Sequence, residues 1–222
     1  MKKQRLSVAM AVLAAGLLLA GCSSKVTQTS QYSGFLSDYS KLQETTSPSG
    51  HKTLRWVDPS YKESNYRGIY FQPVVYFPAE KPTARVSQDT LNKIKAYATQ
   101  RIKTALQNRF TILPSPAGSR VLVAKLAITA VSRNEDMKFY EVVPVAAVVA
   151  STMAATGHRT QNTALYIEGE LIDQDTGKTV MEVVRKAYGK TVNNDSTPVT
   201  ADDVKAAIDD IVTDITQFPK QG

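Results

Sequence analysis

Cysteine is almost missing from this chain: among 222 residues there is one, Cys22, alongside two histidines, His51 and His158, and a single tryptophan, Trp56. One cysteine excludes an internal disulfide framework, and so small a stock of thiol and imidazole excludes the usual His/Cys metal sites. No G-x-S-x-G elbow, P-loop or EF-hand spacing occurs, so common signatures of acyl transfer, phosphate cradling and calcium binding are absent. Basic residues exceed acidic ones by seven, yet no basic cluster is interleaved with aromatics, and no nucleic-acid partner is expected. Hydrophobic residues make up 42% of the chain and aromatics 8%, enough to pack one core.

Charge is lacking in two runs. The first, Leu6 to Ala20, follows Lys2, Lys3 and Arg5 and leads into Leu19-Ala20-Gly21-Cys22. A basic start, an apolar middle and small residues before a cut describe a secretory signal. The run is shorter than the roughly 20 residues a helix needs to cross a bilayer. Its end resembles the lipobox of bacterial lipoproteins, made here by Leu19, Ala20 and Gly21 before Cys22. That resemblance implies a diacylglyceryl thioether on Cys22, cleavage before it, and acylation of the new amino terminus. Ser23 and Ser24 stand where an aspartate resembles an inner-membrane retention signal, so the expected address is the outer membrane, facing the periplasm, with the inner membrane as the alternative. Three net positive charges leave with the signal and no acid does.

The expected organisation is a cleaved signal over 1–21, a lipidated amino terminus and flexible tether over 22–32, and one α+β domain over 33–222. Ser23 to Gln31 is rich in Ser, Thr and Gln and cannot bury a core. Residues 45–52 read as a polar loop, and Leu54 to Val57 as a short extended piece stopped by Pro59. Ile69 to Phe77 is β-branched and aromatic, a strand that Pro73 pushes to a sheet edge or a bulge. Ser87 caps a helix whose stripe is Leu91, Ile94, Ala98, Ile102, Ala105 and Leu106, ending near Asn108. Val121 to Val131 alternates as a strand. Leu165 to Ile172 and Val180 to Tyr188 flank an Asp/Gly turn and read as a hairpin. Thr200 and Asp203 open a final helix in the manner of a capping box, with Val204, Ile208, Ile211, Val212 and Ile215 as its apolar face and Pro219 as its stop. The pattern predicts an α+β fold, a mainly antiparallel sheet with two amphipathic helices on one face.

The second uncharged run, Val142 to Gly157, fits neither helix nor strand cleanly. It reads as a small-residue segment packed on the domain, or as a surface whose Val145, Val148, Val149 and Met153 contact a partner. His51 sits in a Pro/Ser/Gly loop and His158 beside Arg159, so each reads as a solvated residue. The pairs Glu135-Asp136 and Asp202-Asp203 read as a strand end and a helix start. Asp173 and Asp175 belong to the hairpin turn.

Ser33-Gly34-Phe35-Leu36-Ser37-Asp38-Tyr39-Ser40-Lys41-Leu42, Trp56-Val57-Asp58-Pro59, and Ala164 to Asp173 leading into Thr176-Gly177-Lys178 carry a wider likeness. On these residues the chain resembles the bacterial lipoproteins of the DUF3313 family, from about residue 30 to 190. The resemblance implies an envelope address and no activity, cofactor or catalytic residue. The expected function is a non-enzymatic, membrane-anchored periplasmic lipoprotein, an accessory or binding component with an envelope protein partner. A subunit of an envelope pore or secretion assembly is the alternative, and an envelope hydrolase using Asp173 and Glu170 a further one.

Overall fold

The computed structural model describes residues 26, 27, 29, 32–83, 86–132, 161–192 and 198–219. Strands β1 (Gln43–Thr46), β2 (Lys52–Val57), β3 (Gly68–Phe71) and β4 (Val75–Tyr76) precede helix α1 (Gln88–Gln107). Strands β5 (Val121–Ser132), β6 (Gln161–Asp173) and β7 (Thr179–Val192) follow, and helix α2 (Ala201–Gln217) comes last. One seven-stranded sheet runs β1-β2-β7-β6-β5-β3, with β4 also on β5. All pairings from β1 to β5 are antiparallel, whereas β3 and β4 lie parallel to β5. This is the α+β class that the sequence pattern predicts.

Local chemistry sets the element boundaries. Ser87 accepts a hydrogen bond from the Thr90 amide and starts α1, satisfying a donor that the helix leaves orphaned. Asp203 accepts from the Thr200 amide at 2.8 Å and starts α2. Pro73 breaks the apolar run Ile69–Phe77 into two short edge strands, because it has no amide to offer the ladder. The outer side of β3 is covered where Ile69 exchanges backbone bonds with Thr111 and Leu113, which removes an open edge. β1 has no counterpart in the sequence reading. Its residues, Gln-Glu-Thr-Thr, are polar throughout and form a strand only because β2 lies beside them.

Both helices cover the same sheet face. Leu91, Ile94, Ala98 and Ile102 of α1 join Val204, Ile208 and Ile211 of α2 over Leu122, Ile128, Leu165, Ile167 and Ala187. Between the helices, Asp209 accepts from the Tyr97 hydroxyl and from Arg101 Nε, at 3.0 and 2.9 Å. The amino-terminal turn of α2 approaches β7 so closely at Gly189 that a Cβ there would stand 2.0 Å from the Asp203 carbonyl oxygen; only glycine fits.

The opposite face carries the segment from Tyr32 to Leu42. Tyr39 organises it: its phenolic oxygen accepts from the Gly34 and Leu36 amides at 2.9 and 3.2 Å. Its hydroxyl donates to Glu168 Oε2 at 2.5 Å, and the other Glu168 oxygen accepts from the Ser33 amide at 2.9 Å. Tyr32 stacks on the same ring, 4.4 Å away. Leu36 packs with Leu54 and Val184, and Val26 with them. The Gly-Phe-Leu-x-Asp-Tyr motif is therefore a strap, clipped to the sheet through one buried carboxylate on β6. Replacing Tyr39→Phe keeps the ring and removes the clip, leaving Glu168 short of a donor. Urea unfolding should show a loss of about 1–3 kcal/mol; an unchanged midpoint would mean the strap contributes nothing to stability.

Candidate functional site

Alternation along a strand sends successive side chains to opposite faces. On the helix-facing side, one register row crosses four strands: Leu126 of β5, Gly169 of β6, Val183 of β7 and Arg55 of β2. Gly169 lies in the middle of this row with Leu126 leaning over it: a Cβ there would sit 3.2 Å from Leu126, tighter than ordinary packing. Above the row pass the carboxyl-terminal halves of the helices, through Ile102, Leu106, Ile211 and Ile215, and between them and the sheet lies a cavity of about 140 Å³ that Gly169 helps to line. Its wall is almost wholly apolar. Leu126, Leu171, Met181 and Val183 face it and are only partly buried, so the cavity reaches solvent.

Three arginines stand around it, held in different ways. Arg185 is 3% exposed and uses every donor group. Its guanidinium binds Asp214 at 3.0 Å and Asp210 at 2.5 Å, and reaches the Lys186 carbonyl at 2.6 Å. Asp214 also accepts from the Ser49 amide at 2.8 Å, joining the β1–β2 turn to α2 and β7. Arg109 pairs with Glu63 and donates to the carbonyls of Ile215 and Phe218 at 3.0 and 2.6 Å, closing the end of α2. Its Nε is buried with no hydrogen-bond partner among the described residues. Arg55 is half-buried and, among the described residues, makes no hydrogen bond or ion pair; it lies 4.6 Å over the Phe218 ring. Arg109 lies 5.4 Å from the same ring. Burial lowers the Arg55 guanidinium from its ordinary value and Asp214 opposes that shift, but an arginine stays charged.

On the strap side, the neighbouring row is Trp56, Glu182, Glu170 and Lys125. Glu182 is 1% exposed and its Oε2 has no partner among the described residues. Glu170 accepts from Thr179 at 3.4 Å and faces Lys125 at 3.5 Å. The register places Glu182, not Asp173, directly across from Glu170. Asp173 is occupied in the turn, accepting from the Tyr66 hydroxyl and the Thr176 amide, each at 2.9 Å. His51 is exposed, 3.6 Å from Asp210.

Cys22, Leu19, Ala20 and Gly21 lie outside the described residues, as do Val145, Val148, Val149, Met153, His158 and the pair Glu135-Asp136. Arg55, Arg109, Gly169 and Phe218 were not singled out from the sequence. The one available signal was alternation in β2, which groups Arg55 with Thr53 and Val57, but nothing local says which face meets the helices. Among the described residues no group of His, Cys, Asp and Glu could hold a metal ion, and no helix is long and apolar enough to cross a membrane.

The family model described as "Protein of unknown function (DUF3313)" matches residues 31–215. Two curated relatives, both named "Uncharacterized lipoprotein YdcL" and from two strains of Escherichia coli, are 50% identical over 210 residues, covering 94% of each chain. Among solved structures, a PelC dodecamer from Paraburkholderia phytofirmans aligns with 12% identity and a TM-score of 0.36, covering 75% of this chain and 98% of its own. A second crystal form aligns with 11% identity and a TM-score of 0.34, covering 77% and 97%. These scores are too low to carry an argument about fold or assembly.

Two outcomes follow from the charges. Arg185→Ala leaves Asp210 and Asp214 without their common cation. Stability in urea should fall by about 3 kcal/mol, the lower end for a broken buried pair because both acids keep some water. A change within the error of the midpoint would show that the cluster is incidental. Glu182 holds its proton more tightly folded than unfolded, because burial raises its carboxyl, with Asp38 and Glu170 adding to the rise and Lys41 opposing it. Its contribution is present below the ordinary carboxylate pKa and is lost as pH rises through the folded value. Glu182→Gln should therefore gain Tm relative to the parent as pH rises from acid to neutral; a gap constant with pH would contradict this.

Proposed function

This chain belongs to the DUF3313 family of proteins of unknown function, and from that premise we propose that it is a non-enzymatic envelope lipoprotein, anchored through Cys22, whose domain binds rather than transforms. Kinship with proteins named lipoproteins supports the anchor, together with the basic, apolar and Leu19-Ala20-Gly21-Cys22 order of its amino terminus. The observation that carries binding is the apolar cavity with Arg55 among its lining residues.

The parts act in sequence. Acyl chains contribute about 0.8 kcal/mol for each methylene buried in the membrane, so several make the attachment lasting. Val26 already packs on the domain, so between Cys22 and Val26 an extended chain reaches at most ~14 Å. The strap, clipped by Glu168, then keeps the outer sheet face on the side from which the tether arrives. The domain works close to the bilayer surface, on the periplasmic side of the outer membrane, and the uncharged segment 142–157 is its docking element for an envelope protein. The domain is one folding unit over residues 33–222.

Cells fed labelled palmitate should incorporate it into the parent protein and not into Cys22→Ala, which should also keep its leader. Label retained in the variant, or missing from the parent, would overturn the anchor. Density-gradient separation of the two membranes reads the address. A photo-crosslinking residue at Val148 or Met153 should capture a discrete envelope protein; recovery of none would remove the docking role of that segment.

A further inference from the structure

We infer that the cavity beneath α2 is a binding site for a single-chain anionic amphiphile, with the end of its tail in the cavity and its head on Arg55. This deepens the binding half of the function proposed above and rests on it for the supply of ligand, since a domain tethered at a bilayer meets such molecules continually.

The tail follows from volume and wall. A dry apolar cavity of about 150 Å³ takes up a six-carbon ring, and this one is about 140 Å³. Its wall offers a sugar or nucleotide almost no hydrogen-bonding partner, so burial of such a ligand is unfavourable.

The head follows from the donors left over. Arg185 has spent its guanidinium on Asp210, Asp214 and carbonyl oxygens. Arg109 has spent both terminal nitrogens, and its Nε is buried out of reach of a ligand. Arg55 makes no hydrogen bond or ion pair among the described residues, lies 4.6 Å over the Phe218 ring and lines the cavity. Asp214, the acid whose charge Arg55 feels, is already bound to Arg185 and to the Ser49 amide. A neutral head leaves the Arg55 charge unanswered, a cationic head is repelled by it, and a carboxylate or phosphate accepts from its guanidinium. Free fatty acids and phosphate-headed lysolipids share that chemistry.

The test uses the full-length lipidated protein in nanodiscs of zwitterionic lipid, with empty nanodiscs subtracted. Hexanoate, hexyl phosphate and hexanol are titrated by saturation-transfer NMR. At least one of the anions should bind tenfold or more tighter than hexanol. Arg55→Gln should bring that anion to the level of hexanol and leave hexanol unchanged. Val183→Phe, which fills the hollow beside Arg55, should abolish all three; a thermal melt confirms that it is folded, and if it is not, Arg55→Gln alone decides. Preference for hexanoate assigns a carboxylate head, preference for hexyl phosphate a phosphate head, and equal binding supports the shared chemistry. Anions no tighter than hexanol, or unaffected by Arg55→Gln, would overturn the inference. Loss of palmitate label with binding intact would remove the anchor and leave the site; label intact with no binding would do the reverse.

Discussion

A guanidinium carried into the interior has to be answered there by charge, and Arg185 is answered by Asp210 and Asp214 of α2. That requirement fixes where the second helix lies on the sheet. Asp214 also reaches the β1–β2 turn through Ser49, so the edge hairpin, the central strand β7 and the last helix meet around one cation. Desolvating an ion costs several kcal/mol, and only good geometry recovers it. The cavity lies beside this cluster, with Arg185 and Asp214 among its lining residues.

The two faces of β6 divide the work between adjacent residues. Glu168 points to the strap and clips the motif around Tyr39, while Gly169 lies on the helix-facing side and lines the cavity. A shift of one residue in the pairing would exchange these roles, placing a carboxylate against the apolar cavity and leaving the strap without its acceptor. Strap and cavity thus depend on one register and lie on opposite faces of the sheet.

Features governed by neighbours in the chain were legible in the sequence. Ser87 and the pair Thr200 with Asp203 mark the helix starts because capping acts over three residues. The apolar stripes of both helices, the long hairpin of β6 and β7 and the break at Pro73 are likewise local. β1 was not legible, since Gln43–Thr46 has no apolar pattern and owes its conformation to pairing with β2. Nor was the meeting of Glu170 with Glu182, or of Leu126, Gly169, Val183 and Arg55, because each row is assembled from strands far apart in the chain. The Tyr39 motif was visible as a pattern, but its purpose required Glu168, 129 positions away.

By itself the sequence determined the order of elements, the α+β class and the family likeness, all of which depend on periodicity and on short motifs read along the chain. It also marked Cys22, whose meaning lies in the residues immediately before it. Tertiary structure alone decided which polar groups are spent and which are left over. Arg55, Arg109 and Arg185 are alike as letters, yet among the described residues one is fully bound, one has a buried nitrogen without a partner and one makes no hydrogen bond or ion pair. That difference arises from register and helix placement, which bring distant acids into ion pairs with two of the arginines and set the third over an aromatic ring.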